Sequence, residues 1–323
     1  MRMRFLGHLT CITGLFLLSI TAGLAWWRDQ GPSTASFLVL SEYRNRETEW
    51  DLIQIRADGS HRQILVSSPA FETVPDWSSD GQRLVFARNV AFRSSIWGYD
   101  FATQQSYSIL GEQYDVFAPN LSPDGTKIIA EARPRQISTL LLIDLQTGAV
   151  QTIAEDLTDK MRPHWTSDGR HLIFNTETSI QKLTLADNTI ETILPMTTIH
   201  GVDVSPDGTW LAFLGLQETQ YALMRVNIDG SELQVLTTPN VATSRPAIST
   251  DGRWIAYGDQ GALYKIASDG GTPQLILNEQ GVRFSDPTWS PIYDLPFQVL
   301  PTLGLGGFEV FIGLCFIILW KGK

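Results

Sequence analysis

The sequence predicts an all-β chain folded as a six-bladed β-propeller with noncovalent ring closure, flanked by N- and C-terminal transmembrane helices, and three observations carry that prediction. A turn motif returns six times, as PDWSSDG from Pro75, then PNLSPDG, PHWTSDG, VDVSPDG, PAISTDG and a last partial copy, PTWSP, from Pro287. The residues two places after the proline position, Trp77, Leu121, Trp165, Val204, Ile248 and Trp289, lie 44, 44, 39, 44 and 41 residues apart. Short apolar, strand-like stretches fill the intervals, and a period of about 40 to 45 residues with that content marks propeller blades. A small four-stranded sheet cannot bury both its faces alone, whereas sheets arranged in a ring cover one another.

Residues 1–4 carry Arg2 and Arg4, and residues 5–27 carry no charged side chain except a protonatable His8 before the closing Trp26-Trp27-Arg28. That run is long enough to span a bilayer and reads as an uncleaved signal anchor with interfacial tryptophans. A cleaved signal peptide ending near Gly23-Leu24-Ala25 is the alternative. Residues 28–36 form a linker, and the propeller is expected over residues 37–291.

The segment from Phe37 to Ser67 supplies three strands, five full repeats follow, and Pro287 to Ser290 offers the missing inner strand. The two ends of the propeller are thus expected to share one blade, which pairs edges otherwise left open. Each Asp-Gly, such as Asp80-Gly81 or Asp207-Gly208, sits between apolar stretches and reads as a hairpin turn. Glycine accepts the positive φ such turns need, and the aspartate can bond its own backbone two residues on, so these carboxylates are structural. No companion carboxylates stand at calcium-loop spacing. A second Asp-Gly, in ADGS, IDGS and SDGG, separates the third strand from the outer fourth. The clearest repeat reads as strands at Pro163 to Trp165, Leu172 to Asn175, Ile180 to Leu185 and Thr189 to Leu194.

After a linker over residues 292–302, residues 303–320 are almost wholly apolar and residues 321–323 are Lys-Gly-Lys. This reads as a second transmembrane helix, and basic residues at both tips place both termini in the cytoplasm and the propeller on the periplasmic or extracellular side. Glu309 lies 11 residues before Trp320, about 17 Å along a helix, a costly depth that points to a partner in a membrane complex or to a short or tilted helix. A sorting tail over Gly304 to Lys323, with Gly306-Gly307, an apolar run and a basic end, is a weaker alternative. The two cysteines, Cys11 and Cys315, lie in these apolar ends, so ring closure must be noncovalent.

With 43% hydrophobic and 18% charged residues the chain can build a large core, and its net charge of -10, with no Lys/Arg cluster outside the ends, excludes nucleic acid as a partner. Propeller chemistry is expected where the inner strands meet in the central channel. The middle residues of those strands are Asp76, Asn120, His164, Asp203, Ala247 and Thr288, and adjoining loops add Asp115, Arg162, His200, Arg245, Arg283 and Asp286. Arg162, Arg245 and Arg283 occupy nearly equivalent positions and suit a carboxylate or an acidic peptide. Local charge balance with neighbouring aspartates explains them equally well. His164 with Asp76 and Asp203 offers a metal or acid/base group, but these residues come from separate blades with no His-rich ligand spacing. Trp77, Trp165 and Trp289 are expected to pack between blades.

The repeat resembles the TolB-like or WD-repeat-like propellers, whose unit reads Pro-x-Trp-Ser-Pro-Asp-Gly, an apolar strand, then an Asp-Gly-Ser-like turn; the likeness covers Phe37 to about Pro291. It implies a propeller that serves binding proteins, peptidase caps and a few lyases. Members of the Tol system carry an α/β domain ahead of the propeller, for which Trp27 to Phe37 leaves no room, so the chain is expected outside that system. No Gly-x-Ser-x-Gly elbow is present, which argues against the peptidase form. The expected function is a membrane-tethered, non-enzymatic scaffold that binds a protein or peptide at the channel mouth through Arg162, His164, Arg245, Arg283, Asp76 and Asp203. It needs no cofactor and no metal. A hydrolase or lyase using the channel residues and a structural subunit of a membrane complex are the alternatives.

Overall fold

The Ser/Thr-x-Asp-Gly turns set the hairpins from which everything else is built. In a computed structural model that describes residues 36–44, 50–133, 138–154, 161–240 and 244–291, Ser78 Oγ donates to Asp80 Oδ1 at 2.6 Å, the Gln82 N–H donates to the same oxygen at 3.0 Å, and the Arg83 N–H donates to Ser78 Oγ at 2.9 Å. The same pattern recurs at Asp124, Asp168, Asp207 and Asp251. Hydrogen bonds to the ionised carboxylate hold these acids below their ordinary range; for Asp124, bonded first by Ser122, the value falls to about 2.

The hairpins form five sheets. Four are separate four-stranded blades: β8–β11 (Val116–Leu121, Lys127–Ala132, Thr139–Asp144, Val150–Ile153), β12–β15 (Met161–Trp165, His171–Asn175, Ser179–Thr184, Thr189–Pro195), β16–β19 (Ile199–Val204, Trp210–Gln217, Gln220–Asn227, Gln234–Thr237) and β20–β23 (Ala247–Ile248, Trp254–Asp259, Ala262–Ala267, Gln274–Leu277). The fifth has eight strands: β1 (Phe37–Arg44), β2 (Trp50–Arg56), β3 (Gln63–Val66), β4 (Phe71–Trp77), β5 (Arg83–Val90), β6 (Arg93–Asp100), β7 (Gln105–Leu110) and β24 (Val282–Trp289). The expectation of six four-stranded blades is therefore corrected to four such blades and one continuous eight-stranded sheet. The join is a single parallel pairing, Trp50 with Phe71, between β2 and β4. The expected transmembrane helices gain no support either: no helix among the described residues is long and apolar enough to cross a membrane, and residues 1–35 and 292–323, which hold both expected segments and Glu309, lie outside the described residues.

The core lies between sheets. Val85, Ile96 and Leu110 pack on Val116, Leu121 and Ile128 of the next blade, and Ile173, Ile180 and Ile193 pack on Val202, Leu211 and Phe213. Each sheet thus buries a face it could not bury alone. Strand positions in the β12–β15 blade agree with the repeat reading to within two residues. Trp77, Trp165 and Trp289 are buried, and the Nε1–H groups of Trp165 and Trp289 donate to the carbonyls of Asn120 and Ala247 on the preceding blade.

Two glycines of the second Asp-Gly class set how closely sheets approach. A Cβ on Gly59 would lie 2.5 Å from the Ile276 carbonyl oxygen, and one on Gly230 would lie 2.4 Å from that of Ile193, with φ of +85° and +84°. Only glycine meets both demands. Arg225 Nη1 donates to the Ser268 carbonyl at 3.0 Å and Lys265 Nζ to that of Ala57 at 2.9 Å, each reaching a neighbouring sheet. At the seam of the chain, β24 runs antiparallel to β1, pairing Leu38 with Trp289 and Tyr43 with Arg283. Glu42, buried, meets Arg44 and Arg62, and both arginines also meet Glu279.

Candidate ligand-binding channel

The strands β4, β8, β12, β16, β20 and β24 carry the repeat's inner positions. The first four shift register just before the channel residue, between Thr73 and Asp76, Phe117 and Asn120, Met161 and His164, and Ile199 and Val202. The residue two before each channel position has a left-handed backbone: Val74 (φ 52°), Ala118 (43°), Arg162 (50°) and Gly201 (127°), with Asp286 (49°) matching them on β24. These bulges bend the strands and re-aim the side chains on either side. Each inner strand thereby has a loop end, where the chain enters, and a turn end, where Ser/Thr-x-Asp-Gly follows.

The channel residues are largely occupied in holding the inner strands together. Asp76 Oδ2 accepts the Leu121 N–H at 2.9 Å, Asn120 Oδ1 accepts the Trp165 N–H at 2.8 Å, and Asp203 Oδ2 accepts the Ile248 N–H at 2.6 Å. In each case an acceptor on one inner strand holds the backbone of the next. Sequence reasoning missed this role, although its signal was present: side chains that can accept a hydrogen bond recur at one repeat position, with an apolar residue next to the same position one repeat later.

His164 lacks an equivalent backbone partner and is held by side chains. Its Nδ1 lies 3.3 Å from Asp203 Oδ1, and its Nε2 lies 2.5 Å from Arg245 Nη1. Burial, then the charges of Arg245 and Arg162, hold the imidazole well below its ordinary range, so it is neutral. Burial pushes the Asp203 carboxyl up, and it pushes Asp76 up to about 6 against the opposing pull of Arg245. Arg245 crosses the channel and also donates from Nη2 to the Pro75 carbonyl at 2.9 Å.

Asp76, Asn120, His164, Asp203, Arg245 and Thr288 line a cavity of about 230 Å³ whose remaining wall includes Ser78, Pro123 and Thr250, and these place it toward the turn end. The loop residues sit elsewhere. At the loop end Arg162 Nη1 lies 3.5 Å from Asp286 Oδ1, and the Arg162 N–H donates to the buried Glu131 carboxylate at 3.2 Å. His200 stacks edge-on against Tyr221, its basicity lowered by burial and by Arg162. Asp115 accepts the Ser94 N–H. Arg245 reaches from the loop-end residues to the cavity, so the residues predicted at one mouth divide into two groups with Arg245 between them.

Of the six residues predicted to bind ligand, the structure brings together Asp76, His164, Asp203 and Arg245, places Arg162 beside Arg245, and leaves Arg283 apart. Arg283 is exposed, pairs with Tyr43 across the β1–β24 ladder, and stands five residues before Thr288. Asp286, two before Thr288, is the true equivalent of Arg162 and Arg245. Among the described residues no three His, Cys, Asp or Glu side chains converge as a metal-ligand group.

The family described as the TolB beta propeller domain matches residues 33–293. The Tol-Pal system protein TolB of Anaeromyxobacter dehalogenans (strain 2CP-C) is 25% identical over 122 residues, 38% of this chain and 28% of that protein. The uncharacterized peptidase YuxL of Bacillus subtilis (strain 168) is 22% identical over 194 residues, 57% of this chain and 29% of that protein. The chain thus spans less than a third of the length of these relatives. The crystal structure of TolB from Acinetobacter baumannii superposes with a TM-score of 0.73 at 19% identity over 80% of this chain and 67% of that one, a likeness of fold.

Proposed function

Since the chain belongs to the TolB beta propeller domain family, we propose that it is a non-enzymatic scaffold working outside the cytoplasm, which holds a protein or peptide at the loop end of its channel. The observation that carries this reading is how the channel polar groups are used. Asp76 and Asp203 each hold a backbone N–H of the next inner strand, and His164 is clamped neutral between Asp203 and Arg245. A general acid or base needs a free face and a partner whose protonation can change. The channel groups are tied to backbone N–H groups and to one another, which favours binding over turnover.

The loop end also presents an apolar contact. The β5–β6 hairpin turns there through Ala91 (φ 48°) and Phe92 (φ 66°), and the Phe92 side chain is 94% exposed. Such a turn favours Asn-Gly, so a phenylalanine with positive φ is held there against local preference. Exposed aromatic anchors of this kind carry binding energy in protein interfaces. The kinship with a Tol-Pal system protein agrees with a protein partner. Residues 36–291 hold no cysteine, so an oxidising compartment leaves the fold unchanged.

The test uses the full-length chain as bait against the host's envelope fraction. A partner retained by the wild type, lost with Phe92→Asp and kept with Asp229→Lys in a turn at the opposite end, is the expected result. Equal capture by both variants, or an oligosaccharide or peptide turnover that disappears with His164→Ala, would overturn it.

A further inference from the structure

The grooves between neighbouring sheets are not closed alike. Lys127, Trp210 and Trp254 each stand two residues after the glycine of a Ser-x-Asp-Gly turn. Leu142, Arg225 and Lys265 stand on the third strands of the same blades, paired with Gln151, Gln234 and Gln274 of the outer strands. Where the two residues are Trp210 and Arg225, the guanidinium lies 4.2 Å from the indole centroid and donates across the groove to the Ser268 carbonyl. Where they are Trp254 and Lys265, the ammonium lies 5.0 Å from the ring centroid and donates to the Ala57 carbonyl. An aromatic ring capped by a cation fills each of these grooves.

Between the β8–β11 and β12–β15 blades the same positions hold Lys127 and Leu142, so both parts of that plug are missing. The turn facing this groove is altered as well, because Asn188 (φ 57°) takes the place of Gly59 and Gly270. The approach of Gly59 to the Ile276 carbonyl leaves no room for a Cβ, so a turn carrying Asn188 cannot approach Ile153, the counterpart of Ile276, in the same way. What remains is a cleft of about 740 Å³, within the range of small-ligand sites.

The chemistry of the cleft restricts what enters. Leu142, Ile153, Trp165 and Leu185, which pack in one apolar cluster, form part of its wall. Lys127 and Arg170 line it too, and neither side chain makes a hydrogen bond or ion pair with the described residues. The carboxylates present, Asp124 and Asp168, are bonded by the hydroxyl and N–H groups of their own turns. Unused cationic donors call for an anionic oxygen pair. A dianion such as phosphate would face Asp124 and Asp168, whereas a single carboxylate meets less repulsion. The indoles of Trp210 and Trp254 show that a planar ring fits between blades at this position.

We propose that this cleft binds a small aromatic carboxylate, its ring on Leu142, Ile153 and Leu185 and its carboxylate on Lys127 and Arg170. The site lies on the turn side of the sheets, apart from the loop end, and does not depend on the scaffold reading.

The probe is naphthalene-2-carboxylate, titrated against the full-length chain by isothermal titration calorimetry beside naphthalene-2-carboxamide and decanoate. The acid is expected to bind one site about tenfold or more tightly than the amide, as loss of a charge-assisted contact predicts. Decanoate, which has the charge without the ring, should bind more weakly than the acid. Lys127→Met should weaken the acid about tenfold and leave the amide unchanged. Lys127→Trp combined with Leu142→Arg installs the pair found at Trp210 and Arg225, and should abolish binding while raising the melting temperature. Should that double variant fail to fold, Leu142→Phe alone places a ring in the cleft and should abolish binding too. Acid and amide bound alike, binding of neither, decanoate bound as well as the acid, or acid binding that survives the filling variants would each overturn the proposal and leave the loop-end reading untouched.

Discussion

Arg245 Nη1 stands 2.5 Å from His164 Nε2 while His164 Nδ1 stands 3.3 Å from Asp203 Oδ1, and these two contacts fix the imidazole tautomer. A guanidinium cannot accept a hydrogen bond, so Nε2 must be the acceptor and Nδ1–H must point at the carboxylate. A protonated ring would set N–H against N–H. The arrangement therefore requires the neutral form.

A pH dependence of stability follows from His164. Its folded pKa lies well below the unfolded value of 6.5, so below that pH the unfolded chain takes up a proton that the folded chain refuses. Stability is full above pH 6.5 and declines as the pH falls. Thermal melts from pH 8 to 4 should show this slope in the wild type and a shallower one in His164→Gln. An unchanged slope would mean that His164 is not held neutral.

Asp76 acts in the opposite direction. Its folded value, about 6, stands above the unfolded 3.8, so its contribution is full below pH 3.8 and is lost as the pH rises through 6. Asp76→Asn keeps an acceptor for the Leu121 N–H, as Asn120 does for Trp165, and removes the buried charge. The variant should gain about 1 to 2 kcal/mol over the wild type at pH 7, allowing for water reaching the carboxyl through the cavity, and nothing at pH 4. Denaturant midpoints at the two pH values measure it.

Glycine substitutions should sort by what surrounds them. Gly59→Ala and Gly230→Ala each drive a methyl into a carbonyl oxygen of the adjoining sheet and should cost about 3 kcal/mol or more. Gly148→Ala, with φ of +71° and nothing within 4 Å, should cost only about 1 kcal/mol for the left-handed backbone. Urea midpoints that rank the three alike would contradict the close approach described here.

The four-charge group at the seam offers a fourth test. Glu42→Gln removes the buried acid but leaves Glu279 for both arginines, so the loss should be about 1 to 2 kcal/mol. Because Glu42 is buried, added salt should weaken the wild type little. A strong salt dependence would place the interaction at the surface instead.

The turns were legible in the sequence because their chemistry is local. Asp80 bonds the backbone two residues on, and Gly81 takes the positive φ, both functions of one short stretch. The fusion of β2 with β4 was not legible, since a single pairing of Trp50 with Phe71 depends on how two sheets happen to meet. Arg283 was set beside Arg162 and Arg245 by too loose a count: both of those directly precede the repeat proline, and the residue directly before Pro287 is Asp286, so this equivalence was legible in the sequence and was overlooked. The polarity of the channel was legible, but the use of Asp76 and Asp203 as acceptors for the next strand was hidden behind the more familiar reading of a histidine flanked by acids.

The pairing of β1 with β24 has a mechanical consequence. Leu38 faces Trp289 and the Ser290 N–H donates to the Phe37 carbonyl at 2.8 Å, so the described stretch begins and ends at the same end of one antiparallel ladder. Tension applied at Phe37 and Ser290 would not shear that ladder as a unit. It would peel the ladder open one pair at a time from Trp289 toward Val282, reaching the Arg44–Glu279 contact last. A tug on both ends should therefore yield at low force and in small steps, whereas a pull delivered across the strands elsewhere in the ring would meet many hydrogen bonds at once.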